Sequence, residues 1–351
     1  MTGRSSEDAP PSLEEQLRVQ ARHCAEFGSP MYADLLSRCA VDVEAGGPVA
    51  ALLASRADLP AQQVLPLRLL GGVHALVLQR QAPELALWYP SVGGEAVDPD
   101  ARWRAFVGVV TERVDELQPW LDATVQTNEP GRSAALLGAL RVAAARAPAM
   151  PLRVFELGAS AGLNLRFDAL PIGPGRLMGT PMPGEVAGPL AVAERLGADP
   201  SPIDPTTPEG RLRLTAYVWA DDLRRFERLR GALEVASQVP ATVLPLRAAE
   251  FVRQVRLRPG HLTVVWHSIV WQYLGIEERR AVTETLDRLA QVASDDAPFA
   301  YVSLEPEPEH IGRSMLRNDI RLRLAPAGVD TVLGVAPAHG VPVEWRPDLI
   351  A

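Results

Sequence analysis

The sequence predicts an α/β protein: a Rossmann-like, mostly parallel sheet with a C-terminal antiparallel hairpin, preceded by an all-helical domain. Three observations support this prediction. Apolar residues recur with helical spacing before residue 150, where no alternating strand pattern occurs. After residue 150, short apolar runs alternate with amphipathic helical segments, which is typical of a parallel sheet covered by helices. Near the end, two alternating segments flank a turn at 325–329 and indicate a hairpin.

The helical domain is predicted over residues 12–125, after a disordered tail of residues 1–11. Ser12 and Glu15 form a capping box that starts the first helix. Proline and glycine breakers separate the further helices. The predicted helices cover residues 13–27, 31–41, 48–55, 62–81 and 98–117.

The sheet domain is predicted over residues 126–351. Its helices are expected at 131–146, 221–236, 248–255 and 277–293. Its strands are expected at 152–157, 213–219, 242–246, 262–267 and 299–304, then at 320–324, 330–335 and 339–345. The segment 168–210 is rich in proline and glycine, and it is longer than the usual connection of about 2–6 residues. We therefore interpret it as an insertion at the ligand-binding edge.

The composition argues against several classes of binding partner and cofactor. The net charge is −8, so a general nucleic-acid partner is not expected. All 35 basic residues are arginine, which excludes a P-loop lysine and a Schiff-base lysine. No apolar run approaches the ~20 residues of a membrane span, and residues 1–11 do not resemble a secretory signal. Two cysteines, Cys24 and Cys39, without a C-x-x-C motif favour free thiols in the cytoplasm. No histidine or cysteine spacing predicts a metal site.

The strongest local signal is the string FELGASAGLN at residues 155–164. A buried strand ends in the acid Glu156, and a turn of small residues leads into a helical start. Such a turn lets a ligand approach the backbone closely, and free N–H groups follow it. The dinucleotide pattern G-x-G-x-x-G is not met, because the glycines stand only at positions 158 and 162.

The pattern E-x-G-x-x-x-G resembles motif I of class I S-adenosylmethionine-dependent methyltransferases, with Ser160 in place of the middle glycine. This resemblance implies that Glu156 pairs with the amino group of the cofactor S-adenosylmethionine. It also implies that Gly158, Ala159, Ser160 and Gly162 line the methionine and ribose of the cofactor.

Longer strings resemble a bacterial family known only as a domain of unknown function, which is thought to carry a methyltransferase-like core behind a helical domain. The likeness covers roughly residues 13–346. The strings that carry it are QTNEPGRSAALL, FELGASAGLNL, YVWADD, VVWHSIVWQYL and AHGVPVEW.

The methyltransferase resemblance implies further cofactor contacts. Asp221 or Asp222 would bind the ribose hydroxyls, although an aspartate at this position is equally typical of a helix N-cap. Glu250 would meet the adenine amine, or would simply lie on an exposed helix. His267 follows the apolar strand that ends near the transferable methyl, and an imidazole pKa near ~6.5 suits a general base. A structural role for His267 is the alternative.

Residues around this edge are candidates for binding the acceptor, which we expect to be a small molecule. Asn128 and Arg132 precede the first strand, and Glu305 follows the fifth. Trp271 and Tyr273 would form walls of the pocket, or belong to the core. The acidic charge and the insertion favour a small acceptor over nucleic acid.

Two alternative functions stay open. The string GASAG also spells G-x-S-x-G, the nucleophile elbow of serine esterases with the α/β-hydrolase fold, which would make Ser160 a nucleophile. Against it, helices instead of strands precede the elbow, and Glu156 would be a buried charge without a partner. The other alternative is a non-catalytic S-adenosylmethionine-binding or scaffold protein.

Overall fold

The structure is a computed structural model that describes residues 11–170, 190–307 and 316–346. The chain divides into two compact units. Unit 1 comprises Met1–Thr127 and Leu212–Phe226, and unit 2 comprises Asn128–Arg211 and Glu227–Ala351. Within the described ranges, no helix is both long enough and apolar enough to cross a membrane.

Unit 1 is helical, as predicted. The capping box forms: the Ser12 side chain accepts from the backbone of Glu15, whose carboxylate accepts from the Ser12 N–H. The apolar faces of the helices meet in one core that includes the two buried, free cysteines. The helices are α1 (Leu13–Glu26), α2 (Pro30–Glu44), α3 (Pro48–Leu53), α4 (Leu65–Leu78), α5 (Pro83–Ala86), α6 (Pro99–Glu112) and α7 (Val114–Asp122).

Unit 2 contains an eight-stranded sheet in the order β3-β2-β1-β4-β5-β6-β7-β8. The first five strands in this order are parallel, and the last three pair antiparallel. The predicted fold class, including the C-terminal hairpin, is therefore confirmed. The strands are β1 (Leu152–Leu157), β2 (Val192–Ala198), β3 (Thr242–Leu244), β4 (Leu262–Ser268), β5 (Phe299–Glu305), β6 (Asn318–Ala325), β7 (Val329–Ala336) and β8 (Glu344–Trp345).

Apolar cores cover both faces of this sheet. Val154 and Val264 belong to the core that includes α8, while Phe155 and Val265 belong to the core that includes α11 and α12. The alternation follows from the period of two along a strand. The remaining helices are α8 (Ser133–Ala144), α9 (Pro208–Ala216), α10 (Leu223–Ala236), α11 (Ala248–Val252) and α12 (Ile276–Gln291).

The second strand lies elsewhere than predicted. Residues 213–219 were expected to form it, but α9 continues to Ala216 and β2 occupies Val192–Ala198, inside the segment assigned to an insertion. The string VAERLGA of β2 contains two charged residues, so it shows neither the apolar run nor the alternation that predicts a strand. Ion pairs satisfy those charges: Arg153 Nε lies 2.6 Å from a Glu194 carboxylate oxygen, and Arg195 pairs with Asp168 at the same distance. Residues 171–189 of the expected insertion lie outside the described residues.

Candidate functional site

The candidate site lies at the edge where the parallel strands end. Glu156 stands near the end of β1, Asp199 directly follows β2, His267 lies near the end of β4, and Glu305 ends β5. Parallel strands have their carboxyl ends at one edge of a sheet, which is where ligands bind in open α/β folds. The tertiary structure therefore collects four ionisable side chains at this edge.

The turn after β1, residues 158–162 (the β1 turn), has an unusual backbone. Gly158, Ser160 and Gly162 have φ angles of +68°, +52° and +66°. The left-handed region costs a non-glycine residue free energy, so Ser160 is held there by its surroundings. The Gly162 N–H donates to the Ala159 carbonyl at 2.7 Å, which closes the turn.

Asp199 holds the strained serine in place. One carboxylate oxygen of Asp199 accepts from the Ser160 N–H at 3.0 Å, and the other accepts from the Ser201 N–H at 2.9 Å. The Ala159 N–H also donates to the carbonyl of Ala198, the last residue of β2. Asp199 was not predicted from the sequence, because β2 was not. An acid directly after Gly-Ala becomes informative only once β2 is known to lie beside β1.

Glu156 is the most perturbed acid of the site. The residue is only 2% exposed, and its Oε2 atom has no hydrogen-bond partner among the described residues. Burial raises the pKa of Glu156 to about 8, although Trp266, Arg132 and Asn164 favour the charged form. Trp266 lies opposite Glu156 in the β1–β4 register. A buried carboxylate of this kind needs either a proton or a donor group from a ligand.

Two donors beside Glu156 are also unpartnered. Trp266 Nε1 and Asn164 Nδ2 are buried, and neither meets hydrogen-bond geometry with any group in the described parts of the chain. Both nevertheless lie near enough to the carboxylate to lower the pKa of Glu156. The site thus combines one acceptor with two donors that act on it from just outside hydrogen-bond geometry, which is unusual in a buried position.

Side chains from flanking segments fix the β1 turn and its surroundings. The Asn128 side-chain carbonyl accepts from the Leu163 N–H at 2.7 Å. The Ser133 hydroxyl donates to the Asn164 side-chain carbonyl at 2.8 Å, which orients the Asn164 amide. Arg166, which the sequence did not indicate, donates to the Gly162 carbonyl at 2.7 Å.

The predicted substrate residues Asn128 and Arg132 both lie in this region. Arg132 donates to the carbonyl of Ala338 at 2.8 Å and to that of Ser268 at 3.4 Å. Its charge also helps to lower the pKa of Glu156. Arg132 therefore connects the end of β4 with the loop before β8, beside the buried acid.

The segment after β4, residues 269–273 (the β4 loop), covers part of the β1 turn. A Cβ atom added at Gly158 would overlap the side chain of Val270, so glycine is required there for this packing. The preceding residue, Ile269, has a φ angle of +52°. A β-branched residue in the left-handed region is strained, which marks this loop as a position that the surrounding structure holds in place.

His267 lies in a second polar cluster at the same edge. Its Nδ1 is 2.7 Å from Oε1 of Glu305, and its Nε2 is 2.7 Å from the Tyr301 hydroxyl. Because a carboxylate only accepts, Nδ1 carries a proton. The Trp271 ring stacks on the imidazole, with centroids 5.2 Å apart and planes at 12°. Both ring nitrogens already have hydrogen-bond partners within the chain, and the residue is 1% exposed. The role of His267 as a general base therefore remains a prediction.

The other three predicted cofactor-binding acids, Asp221, Asp222 and Glu250, each accept hydrogen bonds at the start of a helix. Asp221 accepts from the Ser29 hydroxyl and from the Met31 N–H, both at the start of α2 within unit 1. Asp222 accepts from the Arg225 N–H at 3.1 Å, as the N-cap alternative anticipated. Glu250 is exposed, and its carboxylate accepts from the Arg247 N–H at the start of α11.

These observations define a Rossmann-like α/β protein with a buried, partly unsatisfied polar site at the carboxyl edge of its sheet. The chain belongs to the family described as an uncharacterized protein conserved in bacteria (DUF2332), whose model matches residues 14–345. The predicted membership in an uncharacterised bacterial family is thereby confirmed. A search of curated proteins finds no match to the chain.

Proposed function

We propose that unit 2 binds S-adenosylmethionine and transfers its methyl group to a small-molecule acceptor. The three unpartnered atoms around Glu156 carry this proposal. Oε2 of Glu156 has no donor in full hydrogen-bond geometry, and neither Trp266 Nε1 nor Asn164 Nδ2 has an acceptor in such geometry, although both donors favour the charged carboxylate. A free α-amino acid group supplies both, because its ammonium donates and its carboxylate accepts. The methionine end of S-adenosylmethionine is such a group.

The surrounding residues fit the rest of that cofactor. Glu156 stands near the end of the first strand and is followed by a turn with three left-handed residues, the position at which the methyltransferase resemblance places the methionine and ribose of the cofactor. Asp199 stands at the end of the neighbouring strand, the place where the methyltransferase resemblance requires an acid for the ribose. This assigns to Asp199 the role that sequence analysis gave to Asp221 or Asp222.

The protein's own share of the chemistry is charge pairing and positioning. An ammonium beside Glu156 stabilises the charged carboxylate and so lowers its pKa from about 8. Arg132, whose charge helps to lower the pKa of Glu156, would supply positive charge for the ligand carboxylate. When bound, the cofactor supplies an electrophilic methyl group, and the chain has to hold a nucleophile in line with it.

Titration calorimetry with S-adenosylhomocysteine on the full chain tests the proposal. We expect binding by the wild-type protein and at least tenfold weaker binding by Glu156→Gln, which keeps the shape of the side chain but loses its charge. Glu234→Gln is the matched control, because Glu234 is exposed on α10 and has no predicted role in binding. No binding by the wild type, or equal binding by Glu156→Gln, would refute the assignment.

A further inference from the structure

The carboxylate of Glu305 is only half satisfied. Its Oε1 accepts from three donors: the His267 ring at 2.7 Å, the Val270 N–H at 2.9 Å and the Trp271 N–H at 3.2 Å. Its Oε2 is buried and has no partner within the described residues. The side chain as a whole is 11% exposed. Burying a carboxylate oxygen without a hydrogen-bond donor costs free energy of folding. A donor group on a ligand would remove that cost.

The groups around Glu305 favour a cationic donor. Among the described residues, His267 is the only basic side chain within ion-pair distance of it. The half-buried Trp271 ring lies on His267, and Tyr273 on the same loop is 56% exposed. Aromatic faces attract cations, and a carboxylate beside them adds a hydrogen-bond acceptor and a negative charge. Ile276, the first residue of α12 and three residues beyond Tyr273, is an apolar side chain that is 81% exposed.

We propose that Oε2 of Glu305 and the rings of Trp271 and Tyr273 form a binding site for a protonated primary or secondary amine with an apolar body. An N–H group is required, because Oε2 can only accept. Quaternary ammonium compounds lack that donor, and carboxylates or phosphates would be repelled.

Resting on the proposed function, the amine is also the methyl acceptor, because Val270 connects the two sites: its side chain packs on Gly158 of the β1 turn, and its N–H donates to Glu305. The bound ammonium first gives one proton to the carboxylate of Glu305. The amine lone pair then forms the new N–C bond while the S–C bond to the methyl group breaks, and the bonding electron pair remains on sulfur. The products are the N-methylated ammonium, a neutral thioether and a protonated Glu305, which returns its proton to solvent. Atoms and charges balance without any further reactant.

Calorimetry on the full chain without cofactor tests the site directly. The probes share one body: phenethylamine, its trimethylammonium analogue and 2-phenylethanol. We expect phenethylamine to bind at least tenfold more tightly than either analogue. Equal binding of the alcohol would show that the surface selects only an apolar body, and equal binding of the quaternary analogue would show that no N–H donor is needed. Either result would overturn the proposal.

The variant Glu305→Gln tests whether Oε2 of Glu305 binds the ammonium group. The amide oxygen of glutamine can still accept from His267, Val270 and Trp271, while its NH2 group replaces Oε2 and repels an ammonium. We expect at least a tenfold loss of phenethylamine binding with an unchanged near-UV circular dichroism spectrum. Glu307→Gln, which removes an exposed carboxylate two residues away, is expected to bind normally. Equal losses in both variants would contradict a site at Glu305. If Glu305→Gln does not fold, the comparison of the three probes on the wild type still decides.

The two proposals fail separately. Phenethylamine binding without S-adenosylhomocysteine binding would leave the amine site intact and refute the cofactor. The converse result would leave the cofactor and refute the amine site.

Discussion

Replacing Glu156 with glutamine distinguishes a carboxylate kept for a ligand from one that supports the fold. Glu156 is 2% exposed, and its Oε2 makes no hydrogen bond in the described structure. Its pKa in the folded chain is about 8, against an ordinary value of 4.5. Desolvation is the largest cause of this increase. The folded state therefore disfavours the charged form of this side chain.

The sign of the effect follows from proton binding. Between pH 4.5 and about 8 the folded chain keeps a proton on Glu156 that the unfolded chain has released. The free energy of unfolding consequently falls by about 1.4 kcal/mol for each pH unit in this window. The loss reaches about 3 kcal/mol at pH 7 and about 5 kcal/mol above pH 8. Glutamine carries no charge in either state, so Glu156→Gln avoids this loss.

Thermal unfolding from pH 5 to pH 8.5 measures the difference. We expect Glu156→Gln and the wild type to have similar Tm values near pH 5. Above that pH, the Tm of the variant should exceed that of the wild type by a growing margin, at ~2–4 °C per kcal/mol. The same variant should bind S-adenosylhomocysteine more weakly. Glu234→Gln, the exposed control on α10, should follow the wild type at every pH.

A less stable Glu156→Gln variant at all pH values would refute this reasoning. It would show that the carboxylate makes stabilising bonds within the folded chain, because their loss would outweigh the gain from removing a buried charge. The unpaired oxygen would then no longer support a ligand site.

Three further predictions follow from the same geometry. Because the charged form of Glu156 binds the ligand ammonium, wild-type affinity for S-adenosylhomocysteine should rise about tenfold per pH unit between pH 6 and 8; an affinity independent of pH in calorimetry would contradict this. Val270→Ala should bind S-adenosylhomocysteine several-fold more tightly, since Val270 covers Gly158; weaker binding would mean that Val270 forms a wall of the site. Ser160→Gly should keep the fold and ligand binding, with stability within about 1 kcal/mol of the wild type, because the relief of strain at φ +52° offsets the added chain entropy. A wild-type protein that reacts with a fluorophosphonate, and a Ser160→Gly variant that does not, would favour the esterase alternative.

Local patterns were sufficient to predict β1 and the turn that follows it. The string LRVFEL is mostly apolar, with two charged residues, and the small residues after Leu157 exclude a longer strand. The strand was confirmed at Leu152–Leu157. Local patterns failed at β2, whose Glu194 and Arg195 are satisfied only by partners 41 and 27 residues away.

The same distinction applies to the site. The position of Glu156 was visible in the sequence, but its location opposite Trp266 depends on the β1–β4 register, which aligns residues 110 positions apart. The contact of Asp199 with Ser160 likewise depends on β2 lying beside β1. No property of the residues around Asp199 predicts that contact.

The sequence by itself determined the class of fold, the helices of unit 1 and the acid that ends β1, because periodicity, capping and turn chemistry act over a few neighbouring residues. The tertiary structure decided which strand lies beside β1, which polar groups remain without partners and which loop covers the β1 turn. These features arise from contacts between distant segments. Burial then determines whether a carboxylate is charged, and burial is a property of the whole packed unit.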